Sequence, residues 1–353
     1  MDILSLFDGC SGWQQAISNL WIKDYFYFAS EIDKFAIQVT RANFPKTIQI
    51  WNILDVSWYD FKVVDLLLWW SPCTNLSFAW KQKWLVTKEN IKITKLEQYL
   101  ELKEKGFEFE WQSYLFWEYM RILNEIKPKY FLLENVVMSK EWEKVFNEAI
   151  WFESVKINSS LLTAQSRKRL YWVWKLQEDW IYSKVEIDQP EDRWILLKDI
   201  LEENVDEKYY LDNKYIERIK NRKATQKPLE RILWDESKTP CLTARWAGED
   251  HSGMILYKEP KIVATQIWQS KNFWNSWWNE KGYTIKTNTW HWVIDLENMK
   301  IRKLTPTECE RLQWVKDWYT ASVSNSQRYK MLGNWWTIPV IEHILKTVLL
   351  SNK

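Results

Sequence analysis

Residues 65–79, DLLLWWSPCTNLSFA, decide the fold and the place of the functional site. The apolar run at 65–68 predicts a short buried β-strand. Pro72 ends this strand and stiffens the backbone in front of Cys73. Open α/β sheets bind ligands at the carboxyl ends of their strands, so Cys73 is predicted at such an edge. The other interpretation of a lone cysteine is a small buried hydrophobe, because no neighbouring His or Lys favours its thiolate form.

The composition predicts an intracellular protein with a sizeable core. A chain of 353 residues can hold two lobes, and its net charge of +2 neither demands nor excludes a nucleic-acid partner. The four cysteines form no CxxC pair, which predicts neither a zinc site nor a disulfide framework and fits a reducing cytoplasm. With no signal-peptide pattern and no apolar run near about 18 residues, we expect a soluble cytoplasmic protein without a membrane or metal partner.

Strand-like and helix-like segments alternate through the first 176 residues. This alternation predicts a parallel, doubly wound α/β sheet. A Lys/Glu-rich insert at 85–112 reads as a mostly helical, solvated segment. Besides 65–68, strands are predicted at 2–8, 25–29, 47–50, 130–133 and 170–173, and a helix at 114–127.

The turn Gly9-Cys10-Ser11-Gly12 follows the first predicted strand, and Glu31 follows the second. Backbone N–H groups at a helix start and a carboxylate for ribose hydroxyls make a nucleotide-type site. The pattern is not GxGxxG, so a structural turn with a surface acid is the alternative.

Two further groups of polar residues lie beside predicted strands. Glu134-Asn135-Val136 ends the strand at 130–133 and is brought to the same sheet edge as Cys73. A carboxylate after a buried strand is costly unless it is paired or used. The basic run 165–169, QSRKR, precedes the strand at 170–173 and suits phosphate or base contacts, or a basic surface edge.

The pattern changes after residue 176. Charged segments, four prolines and short strand-like runs predict a smaller, irregular lobe at 177–300, and a helix near 307–312 and an apolar final helix follow. We therefore predict a catalytic and cofactor-binding domain at 1–176, a target-recognition domain at 177–300, and a segment at 301–353 that returns to the first domain.

Taken in order, these motifs resemble the cytosine-5 DNA methyltransferases of phages and bacteria across nearly the whole chain. The motifs that carry the resemblance are LFDGCSG (6–12), SEID (30–33), NI (52–53), SPC (71–73), YLF (114–116), ENV (134–136), QxRxR (165–169), RKLTPxEC (302–309) and GN (333–334).

The resemblance implies an S-adenosylmethionine-dependent methyltransferase fold and a chemistry. Cys73 would attack C6 of a cytosine flipped out of double-stranded DNA. Glu134 would hold N3 and the exocyclic amine, Arg169 would bind O2, Arg167 would support the loop and nearby phosphates, and Asn135 would fix the backbone. The implied cofactor-binding residues are Phe7, Gly9, Ser11, Gly12, Glu31, Ile32, Asn52, Ile53, Pro72, Leu115 and Asn334. The resemblance also predicts a monomer, and it leaves the recognition sequence and the existence of a partner restriction enzyme open.

Rival hypotheses stay open at this point. One is a related enzyme that methylates cytosine in tRNA, disfavoured by the segment after Cys73 and the long second lobe. Another is a catalytically inactive DNA-binding relative, against which the retained Cys73 and Glu134 argue. A third is a nicotinamide-dependent dehydrogenase, but this chain lacks the GxGxxG loop that such an enzyme carries.

Tryptophan is abnormally abundant and glycine abnormally rare. The chain has 28 Trp and 7 Gly, whereas glycine ordinarily makes up about 7% of residues. Family members usually carry glycine or another small residue at nine of these positions, whereas Trp117, Trp172 and Trp336 stand where an aromatic is ordinary. We predict strained backbone and crowding at the nine, and hypothesise that most of the nine are glycines encoded by UGA and translated as tryptophan, the alternative being a decayed or truly tryptophan-rich homologue. They are Trp13, Trp51, Trp69, Trp70, Trp80, Trp84, Trp174, Trp314 and Trp335.

Overall fold

The computed structural model describes most of the chain outside residues 71–90, 110–113 and 211–301. The described residues are 1–50, 52–70, 91, 93–109, 114–210 and 302–350, with the backbone of four short strands between 233 and 293. Cys73 and Pro72, with Trp51, Trp80 and Trp84, lie outside the described residues.

The chain divides into two compact units, of which the first comprises residues 1–157, 168–189 and 341–353. Its strand order is β3-β2-β1-β4-β5-β8-β6, with β9 paired to β8. The strands are β1 (Asp2–Leu6), β2 (Phe26–Ser30), β3 (Ile48–Gln49), β4 (Leu66–Trp70), β5 (Tyr130–Val136), β6 (Val155–Asn158), β8 (Lys168–Leu176) and β9 (Tyr182–Lys184), while β7 (Gln165–Ser166) pairs elsewhere.

Strands β1 to β5 form a parallel array, which confirms the predicted α/β class. Strand β8 departs from the parallel prediction, because it pairs antiparallel with β5. Only residues 159–167 connect β6 to β8, too few for the crossover that a parallel neighbour requires. The chain therefore turns back and runs between β5 and β6.

Helices connect the parallel strands. They are α1 (Gly12–Asn19), α2 (Lys34–Asn43), α3 (Leu96–Glu104), α4 (Leu115–Ile126) and α5 (Lys140–Ile150). Asp33 begins α2 by accepting a hydrogen bond from the Phe35 N–H at 2.9 Å. None of the described helices has the length and apolar composition of a bilayer crossing.

The second compact unit comprises residues 158–167 and 190–340. Its helices are α6 (Pro306–Gln313) and α7 (Asn325–Asn334), while α8 (Ile338–Leu350) begins here and continues into the first unit. Strand β7 pairs with β11 (Thr239–Pro240), and β12 (Val263–Gln266) pairs with β10 (Leu233–Trp234) and β13 (His291–Val293). Within the predicted lobe at 177–300, the rest of residues 211–300 lies outside the described residues. The functional division into three segments stays a prediction.

A buried carboxylate joins α3 to α4 in the first unit. Glu118 is fully buried and accepts hydrogen bonds from Arg121 Nε at 2.9 Å and from the Tyr99 hydroxyl and Lys103 Nζ. Burial opposes ionisation of Glu118, but the donors from Lys103 and Tyr99 and the charge of Arg121 outweigh it and lower its pKa. This cluster fixes the insert helix against the sheet-covering helix.

We predict that Glu118→Gln lowers the free energy of unfolding by about 3 kcal/mol, because breaking a buried ion cluster leaves its remaining charges uncompensated. The matched control is Glu125→Gln, since Glu125 also contacts Arg121, at 2.9 Å, but is partly exposed. That variant should lose less than about 1 kcal/mol. Urea unfolding of both variants is the measurement, and equal losses would contradict the assigned role of Glu118.

Candidate functional site

The strand order reverses between β1 and β4, since β2 and β3 lie to one side and β5 to the other. At such a switch point the loops after the two strands diverge and leave a crevice at the carboxyl edge. The loop at 7–11 follows β1 at this edge, and Trp70 ends β4 there. Three residues after Trp70 comes Cys73.

The loop after β1 is held in an unusual backbone conformation. Phe7, Gly9 and Ser11 have positive φ angles of 57°, 60° and 59°. The Asp8 N–H donates to the Ser30 carbonyl at 3.1 Å, and the Ser11 N–H donates to the Asp8 carbonyl at 3.2 Å. The loop is thus tied to the end of β2 before the chain enters α1 at Gly12.

Glu31 closes the loop from the side of β2. Its carboxylate accepts hydrogen bonds from the Gly9 N–H at 2.8 Å and from the Ile32 and Asp33 N–H groups, each at 2.7 Å. Burial raises the pKa of Glu31, and these three backbone donors counteract the rise. The predicted pairing of glycine loop and acid is therefore a direct contact in the structure.

Asp8 is a residue of this loop that the sequence prediction did not include. Its buried carboxylate accepts hydrogen bonds from the Tyr27 hydroxyl at 2.6 Å and the Ser11 hydroxyl at 2.5 Å. Burial raises the pKa of Asp8 to about 6, against the hydrogen bonds from Ser11 and Tyr27. Its position inside LFDGCSG was the available signal, and the Tyr27 contact depends on the β1–β2 register.

The other predicted cofactor residues differ in accessibility. Ile32 is 71% exposed next to Glu31, whereas Ile53 and Leu115 are buried in the core. The Asn52 side chain accepts a hydrogen bond from the Leu54 N–H at 3.1 Å. Asn334 ends α7 in the second unit.

Glu134 and Arg169 form the second part of the site. Arg169 lies opposite Val136 in the β5–β8 ladder, which places its side chain on the same face as that of Glu134. Arg169 Nε lies 2.9 Å from the Glu134 carboxylate, and the two side chains are 12% and 3% exposed. In the β4–β5 ladder, Glu134 lies opposite Trp70. The pair therefore stands beside the strand end that leads to Cys73.

Asn135 and Arg167 are buried supporting residues. Asn135 Oδ1 accepts a hydrogen bond from the Val136 N–H at 2.8 Å. Arg167 is 5% exposed, and its guanidinium donates to the Gly333 carbonyl at 3.4 Å within the second unit. Its backbone N–H donates to the Ser159 hydroxyl at 3.0 Å. A loop-supporting role fits these contacts, and the predicted phosphate contact of Arg167 stays a prediction.

The sheet is doubly wound, and Glu31 after β2 accepts a hydrogen bond from the glycine loop after β1. These features define an α/β protein of the nucleotide-binding class. Solved structures share this fold over the whole chain. The Entamoeba histolytica methyltransferase EhMeth aligns with a TM-score of 0.66 and 16% identity, covering 100% of this chain and 99% of its own. Dnmt2 of S. pombe aligns with a TM-score of 0.61 and 16% identity, covering 99% and 98%.

Residues 1–349 match the C-5 cytosine-specific DNA methylases, and the chain belongs to this family. Similar proteins include the orphan methyltransferase M.SPBetaI of Bacillus phage SPbeta, 26% identical over 98% of this chain and 97% of its own length. The type II methyltransferase M.NlaX of Neisseria lactamica is 27% identical over 97% and 94%. The chain is therefore an enzyme of the family that transfers methyl groups from S-adenosylmethionine to C5 of cytosine in DNA.

The raised pKa of Asp8 predicts a pH dependence of stability. Because its folded pKa of about 6 exceeds the unfolded value, the protonated acid stabilises the fold below pH ~4, and this contribution disappears as the pH rises through ~6. A difference of about two pKa units corresponds to about 3 kcal/mol. Asp8→Asn should remove this dependence.

The measurement is the free energy of unfolding of both proteins between about pH 4 and 7. The control is Asp55→Asn, which changes an exposed aspartate and should leave the pH profile as it was. A profile that Asp8→Asn does not flatten would rule out the assigned titration.

Proposed function

We propose that the chain methylates C5 of a cytosine flipped out of double-stranded DNA through a covalent bond between Cys73 and C6 of the base. The observation that carries this proposal is the buried Glu134–Arg169 ion pair beside the end of β4. A carboxylate and a guanidinium at a ligand-binding edge offer both hydrogen-bond polarities that the edge of a cytosine requires.

The polar residues around the β1 loop fit S-adenosylmethionine. Glu31 stands at the loop to bind the ribose hydroxyls, and the exposed Ile32 side chain offers an apolar surface to the adenine ring. Phe7, Ser11, Gly12, Asn52, Ile53, Pro72, Leu115 and Asn334 complete the proposed set. When bound, this cofactor supplies an electrophilic methyl group.

The base is held by the ion pair. Glu134 accepts a hydrogen bond from the exocyclic amine and, in its protonated form, donates its O–H to N3, which offsets the negative charge that develops there when C6 is attacked, while Arg169 donates to O2. The Cys73 thiolate forms the S–C6 bond, and the activated C5 accepts the methyl group. Removal of the C5 proton returns its electron pair to the ring, and the S–C6 bond breaks to release the thiolate.

The local environment of two other cysteines supports the choice of Cys73. Cys10 and Cys309 are buried, and burial raises the pKa of both thiols well above the usual range. A thiol that resists ionisation is a poor nucleophile. Cys73 follows β4 by three residues in the sequence, and the last residue of β4, Trp70, lies opposite Glu134.

The proposal extends to partners and place. We propose a monomer that acts on double-stranded DNA in the cytoplasm, with residues 177–300 providing sequence recognition. The names of the relatives include both orphan and type II methyltransferases, and the proposal is compatible with either setting.

The test is transfer of a labelled methyl group from S-adenosylmethionine to DNA. It is run on the chain as written and on a variant in which the nine tryptophans listed in the sequence analysis, from Trp13 to Trp335, are replaced by glycine. Each has a Cys73→Ala control. Activity on DNA that Cys73→Ala abolishes supports the proposal. Activity on tRNA alone would assign the related tRNA chemistry, and DNA binding without transfer by either protein would assign an inactive DNA-binding relative.

We predict that Glu134→Gln lowers kcat by roughly 10²- to 10³-fold, because a glutamine amide cannot transfer to N3 the proton that the carboxylic acid of Glu134 donates as negative charge develops there. The matched control is Glu148→Gln, since Glu148 pairs with Lys144 on the surface at 3.6 Å. Steady-state kinetics on DNA measures both. A loss confined to KM would mean that Glu134 binds the substrate equally in its ground and transition states.

A further inference from the structure

Tryptophan occupies most of the left-handed backbone positions that glycine does not hold. Nine non-glycine residues in the described part of the chain have positive φ, and six of them are tryptophan: Trp21, Trp151, Trp180, Trp194, Trp314 and Trp318, with φ from 55° to 72°. With 28 tryptophans among 353 residues, nine random positions would hold fewer than one. A bulky residue is a genuine outlier in this conformation.

Three helix ends allow a direct comparison. After α3, the Gly106 N–H bonds the Lys103 carbonyl at 3.0 Å and the Phe107 N–H bonds the Leu102 carbonyl at 3.0 Å. This pair of bonds is the Schellman motif, in which the left-handed residue is usually glycine. Gly106 has a φ of 75° there.

The same motif ends α1 and α6 with tryptophan in place of glycine. Trp21 bonds the Ser18 carbonyl at 3.0 Å, and the next residue bonds the Ile17 carbonyl at 3.4 Å. Trp314 bonds the Arg311 carbonyl at 3.0 Å, and the next residue bonds the Glu310 carbonyl at 3.1 Å. Hydrogen bonding is therefore that of a glycine-ended helix at both sites.

Two further positions also have glycine geometry. Trp151 is the left-handed residue that ends α5. Trp180 lies in the loop between β8 and β9, where its N–H bonds the Gln177 carbonyl at 3.1 Å and the Gln177 N–H bonds the Ile181 carbonyl at 2.9 Å. A left-handed residue that closes a short hairpin loop of this kind is ordinarily glycine.

Side-chain packing does not compensate for the strain. The six indoles are between 39% and 81% exposed, the largest value at Trp21. The buried Arg328 lies 5.6 Å from the ring of Trp318, but that side chain remains 65% exposed. Trp172, by contrast, is buried in β8 and donates to Asn147 Oδ1 at 2.9 Å, as a tryptophan selected for its side chain does.

We propose that the six left-handed tryptophans are glycine in the protein that the cell makes, because their codon is translated there as glycine. The proposal rests on backbone geometry and not on the family resemblance. It adds Trp21, Trp151, Trp180, Trp194 and Trp318 to the sequence-based set, which contained only Trp314 of the six.

The structure also corrects the reason given for the other suspect positions. Trp13 lies in a helix, Trp69, Trp70 and Trp174 lie in strands, and Trp335 has a φ of −76°. Backbone strain was therefore the wrong prediction for these five. Trp69 is accommodated in the core, where its ring stacks on that of Tyr119 at 4.6 Å.

The ring of Trp70 lies close to Gly9. A Cβ atom placed on Gly9 would lie 3.2 Å from Cζ3 of the Trp70 ring, so the indole covers the glycine of the cofactor loop. We extend the proposal to position 70, where glycine would uncover Gly9. The assignment of glycine at position 70 rests on the proposed function, whereas the assignment of glycine at the six left-handed positions does not.

The first experiment compares codons with peptide masses. The gene should carry one codon, UGA, at the six positions and UGG at Trp172. Peptides of the protein isolated from its native cells should have the mass of glycine at the six positions and of tryptophan at 172. Tryptophan masses at the six positions overturn the proposal.

The second experiment separates backbone strain from loss of the indole. Replacing the six tryptophans by glycine should raise Tm by roughly 2 °C per site, because glycine adopts positive φ without steric penalty. Replacing the same six by alanine removes the indoles but keeps a Cβ, and should give a clearly smaller rise. Equal effects of the two replacements would overturn the strain argument.

The third experiment measures S-adenosylmethionine binding by calorimetry. Trp70→Gly should tighten binding at least about tenfold (1.4 kcal/mol), and Trp21→Gly, just past the end of α1 that is farther from the loop and 81% exposed, should leave it unchanged. Unchanged binding for Trp70→Gly overturns the extension to position 70. Glycine masses at the six positions with no cofactor binding by any variant would reject the proposed function and leave the codon assignment intact.

Discussion

The parallel pairing of β4 with β1 on one side and β5 on the other is the constraint on which the site depends. Leu6 lies opposite Trp69 in one ladder, and Trp70 lies opposite Glu134 in the other. The cofactor loop, the segment that leads to Cys73 and the carboxylate of Glu134 therefore reach one edge together. A slip of one residue in either ladder would turn Glu134 to the opposite face of the sheet.

Buried carboxylates divide into two kinds according to where the fold places them. Glu118 lies within α4, where Arg121, Lys103 and Tyr99 satisfy it, and its role is to hold two helices together. Glu134 lies at the end of a strand on the ligand-binding edge with Arg169 across the ladder. An ion pair of this kind is weak evidence for stability in general, so its location is the stronger argument for a role in the reaction.

Local patterns were sufficient to predict the parallel strands, the glycine loop with Glu31, and a buried strand that leads to Glu134, although the strand does not end before Glu134 as predicted but continues to Val136. Their signals are apolar runs and turn residues within a few positions of one another. The antiparallel course of β8 and the Asp8–Tyr27 contact depend on pairings between distant segments, which no local pattern specifies. The helix end at Trp21 could not be predicted for a different reason, because the glycine that marks such an end is not in the sequence as written.

The left-handed tryptophans show how a backbone can be more informative than the residue it carries. The hydrogen bonds that end α1 and α6 fix positive φ whatever the side chain, and a residue with a Cβ loses about 1–2 kcal/mol in that conformation. Six such positions together approach the total stability of an ordinary domain, about 5–15 kcal/mol. Because these six indoles are largely exposed, their packing offsets little of this free energy. Glycine at the six positions removes the strain, and it accounts for part of the imbalance between 28 tryptophans and 7 glycines.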